Sequence, residues 1–346
     1  MFRVTLALLR CLPAECAHTV ALFLLSVWDR LSTLGWRQPP EPAGPYRPVL
    51  DRIAENPIGL AAGLDKNGQC IDRWFALGFG FVEVGTVTPR PQPGNPKPRL
   101  FRLPACGALI NRMGFNNQGV DSLVKRLQQR KTRGVVGVNI GKNKTTPLVD
   151  AAEDYLACLR QVAPWADYIT LNISSPNTPG LRALQNEAYL SDLLQRVMHA
   201  RDALLPVRDH RPLPIWVKIA PDLNETELTA LLDLLLAHQV DGVIATNTTV
   251  DRACVASHPH ADEAGGLSGG PLYARASAIQ SQCLAYLQGR LPLIAVGGID
   301  SPEKATRALA QGAVAVQVYS AFIYQGPTLI RRIRQAVLAM LKREGL

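Results

Sequence analysis

Between residues 58 and 320 the chain repeats one pattern eight times: a short run of aliphatic and β-branched residues, then an amphipathic helical stretch. The runs are IGLAAG (58–63), FVEVGT (81–86), VVGVNI (135–140), DYITLNIS (167–174), IWVKIA (215–220), GVIATN (242–247), LIAVGG (293–298) and AVQVYS (315–320). Helical patterns follow them, for instance at 224–238 and 302–311. Near-continuous apolar strands separated by helices imply a parallel sheet buried on both faces, and eight such units imply closure. The expected fold is α/β, a (β/α)8 TIM barrel with an N-terminal helical extension. A chain of 346 residues, 47% hydrophobic and 19% charged, has the apolar content for so large a core.

Each run is apolar until its C-terminal end. There stand Gly63 to Lys66, Thr86, Asn139, Asn172, Lys218, Thr246 and Asn247, Gly297 and Gly298, and Tyr319 and Ser320. In a closed parallel barrel these ends meet at one mouth, where active sites form. Small residues in VGGI (296–299) and YSAF (319–322) suit a phosphate held on backbone N–H groups after strands seven and eight, although any tight turn uses such residues. GGLSGGPL (265–272) offers another loop of accessible backbone.

Lys218 sits mid-mouth, and lysine is seldom buried unpaired. It reads either as half of an ion pair or as a cation under the N1–C2=O end of a flavin ring, with Thr86, Asn139, Asn172 and Thr246 along the ring edge. A second set, Lys66, Asn111, Asn172, Asn177, Asn247 and Thr248, suits a small planar anion with imide and carboxylate groups. Any one of these asparagines alone reads rather as a turn or cap residue. Ser175, in NISSPNTPGLR (172–182), has no histidine nearby in sequence and makes a poor acyl-transfer nucleophile. It suits a base toward a carbon acid, with water or Thr178 passing the proton on; the alternative is that both serines cap the loop.

Residues 1–40 are apolar but interrupted. Arg10 breaks the early run, no small-x-small cleavage site follows, and the uncharged stretch Thr19–Trp28 is too short to span a bilayer. The pattern predicts two helices, Val4–Leu12 and Ala14–Leu34, broken at Leu12-Pro13, with Arg3, Arg10, Arg30 and Arg37 flanking an apolar stripe. They lie in a membrane interface or pack as a hairpin on the barrel. A Pro-rich connector, EPAGPYRP (41–48), follows. The expected division is 1–40 as an amphipathic helical membrane segment and 41–346 as catalytic barrel. Every residue assigned to substrate chemistry lies after position 60, so the segment is expected to be separable from that chemistry.

Several classes are disfavoured. Seven scattered cysteines without a CxxC pair argue against disulfides, zinc or an iron–sulfur cluster, and read mostly as buried thiols in a reducing compartment. The six histidines avoid the polar motifs, which leaves no metal centre or His-based triad. The net charge of +9 suits a basic soluble enzyme or attraction to phosphate and anionic lipid. Without basic runs interleaved with aromatics it does not suggest nucleic-acid binding.

AAGLDKNG (61–68), EVGTVTPRPQPGNPKPRLFRLP (83–104), LINRMGFNN (109–117), NISSPNTPGLR, GGLSG (265–269) and VGGI, in this order, closely resemble the quinone-dependent (class 2) dihydroorotate dehydrogenases across residues 1–340. The resemblance implies one FMN per chain, oxidation of (S)-dihydroorotate to orotate in pyrimidine synthesis, and electron delivery to ubiquinone or another membrane quinone. It implies Ser175 as catalytic base, where soluble class 1 relatives use cysteine. FMN contacts match Ala62, Gly63, Thr86, Asn139, Asn172, Lys218, Thr246, Gly269, Gly298, Tyr319 and Ser320. The substrate cage matches Lys66, Asn111, Arg112, Met113, Gly114, Phe115, Asn172, Asn177, Asn247 and Thr248. His18, Arg102 and Tyr319 match polar residues of a quinone tunnel.

Gly270 stands where many relatives carry a larger residue, and VRDHRP (207–212) lengthens a surface loop. A monomer on the cytoplasmic face of a bacterial inner membrane is expected, as a peripheral protein. Three other readings are weighed. Ser175 speaks against a soluble class 1 enzyme, the lack of a basic extension against a dihydrouridine synthase, and the intact Ser/Lys/Asn set against an inactive membrane-binding barrel.

Overall fold

The structure, a computed structural model, describes residues 8–31, 49–178, 180–208, 211 and 213–343. The first turn of the Val4–Leu12 helix, residues 32–34, the Pro-rich connector and His210 lie outside the described residues. Eight parallel strands close in the order β1-β11-β10-β8-β7-β6-β5-β2. They are β1 (Ile58–Leu60), β2 (Phe81–Val87), β5 (Val135–Ile140), β6 (Tyr168–Asn172), β7 (Ile215–Ile219), β8 (Gly242–Ala245), β10 (Leu293–Val296) and β11 (Ala315–Val318). Each coincides with one of the eight apolar runs. Four of them, β1, β8, β10 and β11, stop before the polar residues that end their runs, while Thr86, Asn139, Asn172 and Lys218 stand within the last residues of β2, β5, β6 and β7.

Two expected helices are found at Glu225–Ala237 and Pro302–Ala310. Asn224 starts the first with a reciprocal cap: its side chain accepts from Glu227 N at 2.9 Å, and Glu227 returns a carboxylate oxygen to Asn224 N at 2.9 Å. The N-terminal extension is helical at residues 8–10, breaks over 11–13 and resumes as Ala14–Leu31. Among the described residues no helix is long and apolar enough to cross a membrane.

A three-stranded antiparallel sheet was not expected. It consists of β3 (Leu100–Leu103), β4 (Ala108–Asn111) and β9 (Gly266–Gly269), paired β3-β4-β9. Its strands are four residues long, and two come from loops separated by some 150 positions of sequence, so no local alternation announces the pairing. The cysteines depart from expectation too: none is in a disulfide, but only Cys70, Cys158 and Cys283 are buried, whereas Cys11, Cys16 and Cys254 are exposed.

Alternation within the strands divides the core in two. Outward residues such as Val82, Val84, Val138, Leu171 and Val217 join one large cluster under the helices. Inward residues, among them Phe81, Tyr168, Trp216, Ile244 and Ile294, form a second cluster inside the barrel. Three large rings fit because glycine stands beside each on the neighbouring strand. A Cβ on Gly59 would lie 2.3 Å from the Phe81 ring, one on Gly137 2.0 Å from Tyr168, and one on Gly242 2.2 Å from Trp216. Above this layer the interior turns polar: Glu83, fully buried, accepts from Asn139 Nδ2 (2.8 Å), Tyr168 OH (3.1 Å) and Gln317 Nε2 (2.8 Å).

Because the rings have no room to retreat, Gly137→Ala is expected to lower stability by roughly 1–3 kcal/mol, the usual range for overpacking a core. A lower urea midpoint with an unchanged slope would register it. A midpoint equal to wild type would show that Tyr168 can move aside.

Candidate active site

The βα loops and the small sheet enclose a cleft of about 1020 Å³, counted out to its open mouth. Every residue expected at the cofactor or the substrate lines it except Asn139 and Arg112. Asn139 lies one layer down and fully buried: its amide donates to Glu83, and its carbonyl accepts from Thr86 Oγ1 and from Asn172 Nδ2 at 3.2 Å. It orients residues that reach the cleft. Arg112 points away, because its guanidinium pairs with Glu263 at 2.6 Å and stacks over the Phe101 ring at 4.7 Å.

The asparagines are mutually bonded. Asn172 Nδ2 donates to Thr86 Oγ1 at 2.9 Å, and Asn247 Nδ2 donates to Ser174 Oγ at 3.0 Å and to Asn172 Oδ1 at 3.3 Å. Asn177 Nδ2 donates to Asn111 Oδ1 at 3.1 Å, which ties the β6 loop to the antiparallel sheet. Ser175 lines the cleft at 6% exposure, and its Oγ accepts from Asn177 N at 3.3 Å. Thr178 is buried, and its hydroxyl oxygen has no partner among the described residues.

Arg182 holds this loop in place. It donates to Ser174 O (3.2 Å) and Thr248 O (3.1 Å) and pairs with Asp222 (3.0 Å), so one guanidinium joins the β6 and β8 loops. Neither Arg182 nor Asp222 was singled out from sequence, although Arg182 ends the NISSPNTPGLR motif. Glu83, Gln317, Ser268 and Asp300 were also missed. Glu83 and Gln317 are mid-strand, and only closure of the barrel turns them toward the mouth.

The cleft has unmet polar capacity. Asn177 Oδ1, Thr248 Oγ1 and Gln317 Oε1 are buried and unbonded among the described residues. Lys218, buried and lining the cleft, makes no hydrogen bond among the described residues; burial pushes its amine below the ordinary lysine range, and nearby Glu83 partly offsets this. An anionic group rich in donors and acceptors would satisfy this set. Gly298, at φ +68°, packs so closely on Tyr273 that a Cβ would approach it to 2.7 Å, leaving this turn as bare backbone.

A second cleft of about 1530 Å³ lies beside the first. It is walled by the Ala14–Leu31 helix through Ala21, Leu22 and Leu25, and by Leu64, Trp74 and Phe322. The expected His18, Arg102 and Tyr319 all line it, and Tyr319 lines the first cleft too. Tyr319 OH and Lys66 Nζ both donate to Gly63 O, at 3.4 and 2.9 Å. Arg102 donates to Leu9 O at 3.4 Å and to Leu12 O, pinning the helix break to β3. Burial and the Lys66 charge push His18 down to about 4, so it is neutral at pH 7.

The dihydroorotate dehydrogenase family model matches residues 49–341. A dihydroorotate dehydrogenase (quinone) of Methylococcus capsulatus is 51% identical over 329 residues, covering 95% of this chain and 96% of that protein. One of Pseudomonas savastanoi is 50% identical over 340 residues, covering 98% of each. The crystal structure of DHODH from Eimeria tenella in complex with ferulenol superimposes with a TM-score of 0.84 at 36% identity, over 96% of this chain and 92% of that one.

Lys66, on the wall of the first cleft, gives the site a measurable signature. Burial, with Arg99 adding repulsion, lowers its amine from 10.5 to about 8, while Glu15 pulls the other way. Nitrogen NMR of the Lys66 amine is expected to show titration near pH 8, falling further in Glu15→Gln. An amine that stays charged to pH 10 would contradict the burial.

Proposed function

The chain belongs to the dihydroorotate dehydrogenase family, and from that premise we propose that it oxidises (S)-dihydroorotate to orotate in pyrimidine biosynthesis and passes the electrons through FMN to a membrane quinone. The observation that carries this reading is Tyr319, which forms a wall of both clefts, one polar and one apolar. An oxidant held in the first cleft is thereby one side chain from an electron acceptor in the second.

The unmet donors and acceptors of the first cleft fit FMN. Lys218 and Thr86 would face the ring, supported from below by Asn139, with Ala62, Gly63, Asn172 and Thr246 beside it; the Gly269, Gly298 and Ser320 backbone would hold the phosphate. Bound FMN supplies the two-electron acceptor for the hydride leaving the substrate. Lys218 places positive charge where the ring becomes electron-rich. Lys66, Asn111, Asn177, Asn247 and Thr248, with the backbone of Met113 to Phe115, bind the substrate ring and carboxylate. An imide ring gives partners to Asn177 Oδ1 and Thr248 Oγ1, which are buried and unbonded among the described residues, and this selects against rings lacking those groups.

Ser175 Oγ is the base that takes the proton from the ring carbon beside the carbonyl. Asn177 N donates to Ser175 Oγ, and the Arg182 clamp fixes the loop. Thr178, buried and with no hydrogen-bond partner for its hydroxyl among the described residues, stands three residues on to receive the proton in turn.

The second cleft admits the quinone. Leu8, Leu12, Val20, Phe23, Leu24 and Trp28 are exposed along the N-terminal segment, where a membrane surface would cover them. Residues 1–40 thus serve as quinone-access and membrane segment, and 41–346 as the catalytic barrel. The protein is read as a peripheral monomer on the cytoplasmic face of a bacterial inner membrane.

Ser175→Ala is expected to keep FMN but to slow anaerobic flavin bleaching by dihydroorotate about 10²-fold or more, the usual cost of a lost base. Near-normal bleaching would remove Ser175 from this role. Ala21→Trp, which fills the second cleft, is expected to leave bleaching unchanged and slow re-oxidation by decyl-ubiquinone at least about tenfold, a ~1.4 kcal/mol loss. Equal re-oxidation rates would place the quinone elsewhere.

A further inference from the structure

We propose that Glu15 and Arg99 are positioning residues for the Ser175 loop, so that the helix walling the quinone-side cleft also sets how firmly substrate is held. The inference rests on the functional reading above and assigns that site a control outside the barrel.

Glu15 stands in the first turn of the Ala14–Leu31 helix. Its carboxylate accepts from Arg99 Nη2 at 2.7 Å and from Nε at 3.2 Å, and the two side chains are 19% and 7% exposed. A two-pronged pair this shielded is more rigid than a surface salt bridge. Arg99 spends its remaining nitrogen on the loop before it: Nη1 donates to Pro93 O at 2.6 Å and to Asn95 O at 2.8 Å. The same guanidinium therefore fastens both the helix and the 93–95 segment.

Asn95 carries the linkage onward. Its Nδ2 donates to Arg112 O at 2.9 Å and to Asn177 O at 3.1 Å, and its backbone N donates to Met113 O at 3.1 Å. Asn177 in turn bonds Asn111 through its side chain and Ser175 Oγ through its backbone N. The path leaves little slack. A Cβ on Gly94 would lie 2.3 Å from Met113 O, and one on Gly114 would lie 2.7 Å from the Asn95 side chain. Segments packed this closely move together.

Without the Glu15 charge, Arg99 remains a nearly buried cation beside Lys66 and Lys97. The cheapest relief is a shift of the guanidinium toward solvent, which releases the Pro93 and Asn95 carbonyls and loosens the Asn177 anchor. The N-terminal segment is thus not separable from substrate chemistry, contrary to its place in the sequence.

The test uses full-length, flavin-loaded protein at pH 6.5, below the value of about 8 to which burial brings the Lys66 amine. Three measurements are made on Glu15→Gln: orotate affinity, hydrogen exchange of the 174–178 amides, and flavin re-oxidation by decyl-ubiquinone. The expected result is orotate binding weakened about five- to tenfold, faster loop exchange, and re-oxidation within about twofold of wild type. Asn95→Ala should do the same, and the double variant should be no worse than either single one, because both cut one path. Unchanged loop exchange, additive effects of the two changes, or a defect confined to re-oxidation would each overturn the proposal. Exchange needs no ligand, so wild-type protein that failed to bind orotate would count against the functional reading while still testing the linkage.

Discussion

The packing of three aromatic rings against three glycines holds the barrel at one bore. Phe81, Tyr168 and Trp216 each lie over a glycine on the adjacent strand, and no Cβ fits beneath them. Filled this way, the lower interior excludes water and behaves as packed core. That frees the upper interior to be polar, because the strands no longer depend on residues near the mouth for closure. The mouth then has a fixed diameter, and side chains from strands distant in sequence converge there.

On that floor stands a hydrogen-bonded column. Glu83 is held by Tyr168, Gln317 and Asn139; Asn139 meets Thr86 and Asn172; and Asn172 meets Asn247. Each amide is fixed by the one below, so the cleft presents oriented donors and acceptors before any ligand arrives. Preorganised dipoles of this kind act strongly in a low-dielectric site, since they need not reorient during reaction. Lys218 completes the arrangement as a cation desolvated by burial, with Glu83 close enough to favour its charged form.

The two clefts have opposite chemistry and share a wall. The inner one is lined by amides and lysines, the outer by aliphatic and aromatic side chains of the N-terminal helix and the last turns of the barrel. Tyr319 and the Gly63 carbonyl lie between them, and neutral His18 faces the charged Lys66 across this partition. The helix is fastened at both ends of its early part, by Arg102 at the break and by Arg99 at Glu15. It therefore belongs mechanically to the active site while presenting an apolar outer face.

Repetition of apolar runs was enough to read the barrel from the sequence, because a period-two strand between helices has few ways to bury both faces. The polar run ends located the mouth, and the long loop motifs located most cleft residues. Three things stayed hidden for physical reasons. The β3-β4-β9 sheet joins short segments far apart in sequence, so its signal exists only as pairing. Asn139 and Arg112 occupy expected positions, but their side chains answer to Glu83 and Glu263, partners that only the folded chain brings near. Glu15 reads in sequence as an isolated acid in an apolar helix, and its meaning depends on Arg99, 84 positions away. The sequence by itself determined the strand–helix repeat and the chemical inventory of the site, since both follow from local pattern and residue type. Only the tertiary structure decided which groups bond one another, because a buried polar group takes its role from the partner that satisfies it.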